Sequence, residues 1–549
     1  MKQKKIALLL SGAMLMGMMA GCSAKGTPAA TADTAAGSAA PSASFNETGY
    51  PIVNEPITMK IMMSIRDVDT LGDPSEMPAV KRLEEQTGIN LEWEVIKASD
   101  WTTKLNLMFA SGEYPDIILS PNAPVDDEEY GVTQQLLIPI DDELTTKYMP
   151  TYTERTKAEE TDPTTSLLAS DGHKYSIGYL VGQNINTNAH YFINKTWLDS
   201  LGLAMPTTLD ELTEVLRAFK TQDPNGNGQS DEVPYQVDID SGFPSIRYAL
   251  PLFGIPCDAS RWIYIDDNKK VQFAPTQTGF RECMEWLNTL YSEGLVDPEI
   301  ISQDSATAEN KIEKEGKSGF FTMWRLQAMG FAEEVLPQYT MMMPVADEGT
   351  KPSLYRYLEM AKPGAFVTAA NQHVPETLRL LDAMLDTETM YSLYYGEKDA
   401  TDGTGWAYNE NGKIDSLYNG DTQVKNFLDC NALFFAPANY LEKTFNMPLQ
   451  RTEKTEYCKK YEEAGDIQKY SDDYLNLAPL TSEQIQASAL KETDIKNAVL
   501  ENMATFITTG VTDDSWNAFV KLFDNMNVNE YVQMYQSAID TMNILEAGQ

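Results

Sequence analysis

The chain is 549 residues long with 10% aromatic residues, and it carries 42 Lys+Arg against 81 Asp+Glu, a formal net charge of −39 at pH 7. So acidic a surface repels nucleic acid and anionic headgroups, which excludes both as partners; the aromatic content argues against disorder. About 500 residues remain after the N-terminal segment, too many for one simple core, so two or more lobes are expected.

Lys2, Lys4 and Lys5 precede an apolar run over 6–20. That run is shorter than the roughly 20 residues a membrane-spanning helix needs and reads as an export signal. Met19-Ala20-Gly21-Cys22 resembles the lipobox of bacterial lipoproteins. The resemblance implies that residues 1–21 are removed and that Cys22 is acylated. It also implies an anchor on the extracytoplasmic side of the cell membrane, which two or more acyl chains make stable. Residues 23–44 are almost all Ala, Ser, Thr, Gly and Pro. They cannot bury a core, so 22–48 reads as a flexible tether and 49–549 as the folded region. No later run is apolar enough to span a membrane.

The folded region opens on a β-rich stretch, 57–64. A helix is predicted over 78–87, with Gly88 at its C-cap. Ile89, Leu91, Trp93 and Val95 alternate with polar neighbours, as in a strand. A second helix over 101–110 stops at Gly112, and 115–119 is a short apolar strand. This β-α-β-α-β order predicts a parallel sheet with helices on its faces, an α/β fold. A second such unit is expected from a strand at 191–194 and a helix at 196–201 ended by Gly202. Thr208 and Glu211 then form a capping box. Leu209, Leu212, Val215, Leu216 and Phe219 stripe the helix that follows. A strand covers 319–323. Turn clusters at 402–405 and 409–412 predict a loop with a hairpin. From about 481 the chain is mainly helical, over 481–504, 516–523 and 529–545. Val532, Tyr535, Gln536 and Ile539 mark the inner face of the last helix. Cys257, Cys283, Cys430 and Cys458 are isolated, with no C-x-x-C spacing; buried thiols and disulfides both fit.

Ser111-Gly112-Glu113-Tyr114-Pro115-Asp116-Ile117 and Leu137-Ile138-Pro139-Ile140-Asp141-Asp142 resemble segments of extracellular solute-binding proteins of ABC importers. So do Asn194-Lys195-Thr196-Trp197-Leu198-Asp199-Ser200-Leu201-Gly202, Pro206-Thr207-Thr208-Leu209-Asp210-Glu211-Leu212, and the C-terminal block from Phe506 through Trp516 to Tyr531. The likeness runs from about Ile57 to Ile539 and is greatest to large carbohydrate-binding lipoproteins. Thr196 departs from the acid usual there, though Thr can also cap a helix start. The resemblance implies a two-lobed, periplasmic-binding-protein-like fold with a hinged cleft, its lobes discontinuous in sequence. It also implies an ABC permease as partner, an oligosaccharide or related sugar as solute, and a monomer.

Residues 223–232 place oxygen side chains at alternate positions, with Gly228 sixth. That is the opening of a calcium loop of the EF-hand kind. The expected ligands are Asp223, Asn225, Asn227, the backbone carbonyl of Gln229, Asp231 and Glu232; Pro234 stands where an EF-hand carries its last glutamate. The alternative is a Gly/Asn turn without metal.

Solute contacts are expected from aromatic rings, which stack on sugar C–H faces, and from polar groups at strand ends. The candidates are Arg66, Trp101, Ser120, Tyr191, Trp324, Arg325 and Trp406, with Trp262 and Tyr355 behind them; each ring has core packing as its alternative. Trp197 and Trp516 lie within amphipathic helices and read as core. His173, His190 and His373 are isolated, and no nucleophile or phosphate-loop motif is found. Carboxylate pairs such as Asp126-Asp127 and Glu128-Glu129 read as a solvated loop. A secreted carbohydrate-active enzyme needs only two well-placed carboxylates and is the second reading. A surface adhesion or scaffold protein is the third.

Overall fold

The computed structural model describes residues 44–541 except 68, 70, 122, 160, 183–186, 188–189, 240–243, 257–260, 325, 327–330, 418–427, 429–431, 447–448 and 479. All of these lie in the unit Ala39–Gln549. Cys22, Arg325, Cys257 and Cys430, and with them the signal, lipidation and nearly all of the tether, fall outside the described residues.

β1 (Ile57–Ile65), β2 (Ile89–Lys97) and β3 (Ile117–Leu119) pair in parallel, as the alternating order predicts. The helices between them are Pro78–Thr87 and Ala98–Ser111. Both end on a glycine in the left-handed region, Gly88 (φ 78°) and Gly112 (φ 76°), a conformation that costs other residues a Cβ clash. β4 (Ser176–Val181) belongs to the same sheet.

The chain then leaves. β5 (His190–Asn194) and β6 (Val233–Tyr235) belong to a second sheet. A small hairpin of β7 (Ile263–Ile265) and β8 (Val271–Phe273) follows. β9 (Ser318–Met323) and β10 (Tyr339–Met342) complete the second sheet. Its order is β10-β5-β9-β6, with β5 antiparallel to both neighbours and β9 parallel to β6. The second unit is therefore not a repeat of the first: the strand following β5 in sequence is not its neighbour in space. The helix after β5 is Lys195–Leu201, and Asn194, not Thr196, caps it by accepting the Trp197 amide at 3.1 Å. Thr208 caps the next helix, Leu209–Thr221, through the Glu211 amide; the Glu211 carboxylate returns to Thr207 rather than Thr208, so the predicted box is half made.

β11 (Lys362–Val367) re-enters the first sheet between β3 and β4, antiparallel to both. The predicted hairpin is β12 (Trp406–Tyr408) with β13 (Ile414–Ser416). β14 (Phe435–Ala436) closes the first sheet, whose order is β14-β4-β11-β3-β1-β2. The chain crosses once more, and helices Leu449–Ala464, Ser482–Thr509, Asp513–Asn525 and Val528–Thr541 follow. Tyr461, Phe506, Phe519, Phe523, Tyr535 and Ile539 from them share one core with Tyr191, Phe320 and Phe219 of the second lobe.

Both sheets are covered on both faces, as the two-residue period of a strand dictates. In β1, Met59, Ile61, Met63 and Ile65 face one core, while Met62 joins Trp101, Leu105 and Phe366 in another. In the second sheet Tyr191 and Phe320 take one face, and Phe192 and Phe321 the other. Cys283 and Cys458 are buried, and the Cys458 thiol donates to the Thr187 carbonyl. Among the described residues no helix is long and apolar enough to cross a membrane.

Candidate functional site

Strand direction decides which residues share an edge. β4 runs with β1 and β3, since β11 is antiparallel to β3 and to β4. The ends of β1, β3 and β4 and the start of β11 therefore lie on one edge, carrying Arg66, Ser120, Gly182 and Ala361. In the second sheet His190 pairs with Met323 and Tyr191 with Met342. The start of β5 and the ends of β9 and β10 thus share an edge, with Trp324 on it. These are the two edges the chain uses to pass between lobes, and open α/β sheets place ligands at such strand ends.

On the first edge Arg66 is held rather than loose. Its Nη2 and Nε donate to Asp69 Oδ1 at 2.7 and 3.0 Å, and Asp69 is buried. Lys97 Nζ donates to the carbonyls of Arg66, Asp67 and Asp69, so one ammonium gathers the turn. Arg66 keeps 39% of its side chain exposed. Such a pre-set guanidinium can hold hydroxyl or carboxyl oxygens with little ordering cost. Ser120 is buried and otherwise engaged: its hydroxyl donates to the Ala123 carbonyl at 2.7 Å and lies 3.0 Å from the Ser64 hydroxyl. It shapes the loop after β3 rather than offering a free contact.

That loop carries Asp127, an acid that the sequence does not distinguish from its solvated neighbours. Burial, reinforced by Glu128 and Asp126, pushes its carboxyl up to about 6 from 3.8. The charged form is the costly one. Its share of stability is intact below about pH 4 and is lost as pH rises toward 6. Asp127→Asn is therefore expected to raise the melting temperature at pH 7.5, by about 1–3 kcal/mol of stability, and to leave it unchanged at pH 4. Thermal melts at the two pH values check this; an equal gain at both would refute the assignment.

On the second edge Trp324 is half-buried, and Lys454 Nζ sits 3.0 Å from its ring centroid. The Lys454 side chain is fully buried, where a cation on an indole face is worth about 2 kcal/mol. His190 lies beside it, and burial together with the Lys454 charge holds its imidazole well below the ordinary range and hence neutral. The His190 ring stacks on Tyr461 at 5.8 Å, and Tyr461 hydroxyl donates to the Met342 carbonyl at 3.1 Å. Lys454 and His190 were invisible as a pair, standing 264 positions apart.

The other aromatic candidates are enclosed by protein groups. Trp101, Tyr191, Trp262 and Trp406 expose 1% or less, each within one of the hydrophobic cores. Trp101 Nε1 donates to the Pro124 carbonyl, Tyr191 hydroxyl to that of Tyr248, and Trp406 Nε1 to Ser392 Oγ. Tyr355 is buried and donates to Asp473. Trp197 is core, as expected, and Trp516 is partly buried against the same core beside Phe280, Phe506 and Phe519.

The loop 223–232 is wound on its own oxygens. Asp223 Oδ1 and Oδ2 accept the amides of Asn227 and Gly228, Asn225 Oδ1 that of Asn227, and Asn227 Oδ1 that of Gln229. Gly226 and Gly228 have φ of 69° and 73°. Asp231 takes Asn227 Nδ2 and Lys317 Nζ, each at 3.0 Å. Glu232 is buried, its Oε1 has no hydrogen-bond partner, and burial, then Asp231 and Asp223, raises its carboxyl. Among the described residues no trio of His, Cys, Asp or Glu is gathered as a metal site; this loop mixes carboxylates with amides. An orphaned buried oxygen amid oxygen donors fits a hard cation.

Two α/β lobes, joined by three passages and presenting a fixed guanidinium on one edge and a tryptophan on the other, define a binding protein of the hinged, two-lobed class. The chain belongs to the bacterial extracellular solute-binding protein family, which matches it over residues 69–391. It is 26% identical over 561 aligned positions to the fructooligosaccharide ABC transporter substrate-binding protein FusA of Streptococcus pneumoniae, covering 98% of this chain and 97% of that one. Lipoprotein LipO of Bacillus subtilis is 30% identical over 280 residues, covering 50% of this chain and 52% of LipO. Among solved structures, an extracellular solute-binding protein of Bifidobacterium longum subsp. infantis superposes with a TM-score of 0.76 at 23% identity, covering 89% of this chain and 98% of that one. An EF-hand mutant of FusA in complex with fructo-nystose gives 0.66 at 22%, covering 88% and 99%.

Proposed function

We propose that this protein is the substrate-binding subunit of an ABC importer and that its solute is an oligosaccharide, clamped between the lobes and released unchanged to permease subunits. The observation that carries this reading is that Trp324 and Arg66 each follow a strand at the edge from which the chain passes between lobes. A sugar offers C–H faces to the first and hydroxyls to the second, so a single molecule gains both contacts only when the lobes close on it. Closure is then driven by contacts made in the closed state alone. The end-to-end likeness to a fructooligosaccharide-binding relative supports the same solute class. A lipid on Cys22 holds the protein at the outer membrane face, a reading the likeness to a named lipoprotein supports.

Calcium in the loop 223–232 is a second proposal. Asp223, Asn225, Asn227, Asp231 and Glu232 would hold it, with the Gln229 carbonyl. The ion would supply charge that rigidifies this corner of the second lobe, remote in chain from Trp324 and Arg66.

Thermal melts against a panel of neutral oligosaccharides, kestose included, test the function. At least one should raise the melting temperature without any product appearing. Trp324→Ala should weaken that sugar about 10–100-fold, the loss typical of a central tryptophan contact. Turnover of any panel sugar, or undiminished binding by the variant, would defeat the reading.

A further inference from the structure

The second passage between lobes changes sides within four residues. Leu354 and Leu358 pack in or against the second lobe's core, and the Leu358 amide donates to Asp473 Oδ2 at 2.8 Å. Ala361 already belongs to the first lobe's core, with its amide on the Pro163 carbonyl at 2.8 Å and its carbonyl taking Ser166 Oγ. Glu359 stands between them. Its Oε1 accepts the amide of Ala438 at 2.7 Å, at the start of helix Ala438–Thr444, whose Leu441 lies in the first lobe's core.

The same helix start takes a second carboxylate. Glu159 Oε1 accepts the Asn439 amide at 3.2 Å, and its Oε2 accepts Asn439 Nδ2 at 2.9 Å. Both acids suit the positive end of a helix. They differ in where their backbones run: Glu159 follows helix Pro150–Lys157 of the first lobe, whereas Glu359 lies on a passage. The first passage starts at this point too. Gly182 donates its amide to the Ala436 carbonyl at 2.8 Å. A Cβ there would lie 2.3 Å from both Ala438 N and Glu359 Oε1, and 2.5 Å from the Pro437 carbonyl carbon. Only a residue without a side chain lets the Glu359 carboxylate reach the helix.

We propose that Glu359 is a positioning residue for lobe closure: its carboxylate pins the second passage to the start of helix Ala438–Thr444, and Gly182 opens the space for it. Two passages thereby turn about one shared point. Hinges work by confining large backbone changes to a few residues, and a pin beside them defines where the bend begins. The proposal rests on the two-lobed fold and not on which solute is bound.

The test is therefore made on the full mature chain without ligand. Amide exchange at 182, 358–361 and 438–441 is compared between the wild type, Glu359→Ala, Glu359→Gln and Glu159→Ala, alongside small-angle scattering. Glu359→Ala should speed exchange at Gly182 and 358–361 by about tenfold or more, the worth of one hydrogen bond to a charge, and broaden the scattering envelope. Glu359→Gln, which keeps an oxygen for the Ala438 amide, should restore most of the protection. Glu159→Ala should affect only 438–441. If both alanine variants loosen only 438–441, or Glu359→Ala leaves 358–361 unchanged, Glu359 is a helix cap and nothing more. Gly182→Ala provides an independent arm: it should expel the carboxylate and reproduce the Glu359→Ala pattern at 358–361. A wild-type pattern there would overturn the shared pivot even if Glu359→Ala failed to fold.

Discussion

Arg155→Ala is expected to destabilise the first lobe by about 3–5 kcal/mol, the cost of stranding two buried hydrogen-bond acceptors and opening a cavity. Arg155 is 5% exposed. Its Nη1 donates to the Phe435 carbonyl at 2.7 Å and its Nη2 to the Leu385 carbonyl at 2.6 Å. The guanidinium also lies 3.8 Å from the Tyr440 ring centroid. One side chain thus ties helix Pro150–Lys157 to β14, to the end of helix Val374–Met384, and to the helix that Glu359 caps. Burial lowers its pKa, opposed chiefly by Tyr440, Tyr391 and Asp382, so the charge persists without a bonded carboxylate. Truncation strands two buried carbonyls, each worth about 1–3 kcal/mol, and leaves a cavity besides. At about 2–4 °C per kcal/mol for a lobe of this size, the melting temperature should fall by about 10 °C. Arg155→Lys keeps the charge but reaches one carbonyl, and should cost about half as much. Calorimetry of the three proteins decides; a loss under 1 kcal/mol for the alanine variant would show that the site relaxes or hydrates.

The parts of this molecule that could be read in advance are those whose signals are local. Gly88 and Gly112 ended their helices where predicted because a left-handed cap is a property of one residue and its neighbours. β1 to β3 paired in parallel because the chain alternates strand and helix with no choice of partner. The second sheet departs from that order for the opposite reason. β5 finds its neighbours in β9 and β10, more than a hundred residues on, and nothing in Tyr191 or Phe192 encodes which strand will lie beside it. The site divides the same way. Arg66 and Trp324 could be placed at strand ends because the strands were legible. Whether a tryptophan faces solute or core depends on what covers it, and only the fold shows that Trp101 and Trp406 are enclosed. Lys454 looks solvated among the charges of its helix, and Asp127 is one acid among 81. Burial, not identity, makes each unusual.

Stripping the protein with a chelator and restoring calcium is expected to change the second lobe's stability by about 3 kcal/mol when the ion is present at a hundred times its dissociation constant. The physical reason lies in the loop's charges. Asp223, Asp231 and Glu232 bear on one another, and Lys317 is the cation bonded to Asp231. The Glu232 carboxyl is raised by burial first and by Asp231 and Asp223 next, against the opposing pull of its own backbone amide and of Lys220, and its Oε1 has no hydrogen-bond partner. A divalent ion would attract Asp223, Asp231 and Glu232 alike and would give Glu232 Oε1 the partner it lacks. Magnesium should stabilise less, since it demands a tight octahedral shell while this loop offers amide and carboxylate oxygens on a turn that can spread to six or more. Asp223→Ala should abolish the calcium response, because both its oxygens organise the turn at Asn227 and Gly228. Sugar affinity, measured on stripped protein below its melting range, should change little, because the proposed ion would stiffen a lobe rather than touch solute. Calorimetric titration with no calcium heat, together with identical melts in calcium and in chelator, would leave 223–232 as a self-bonded turn whose orphaned glutamate needs another account.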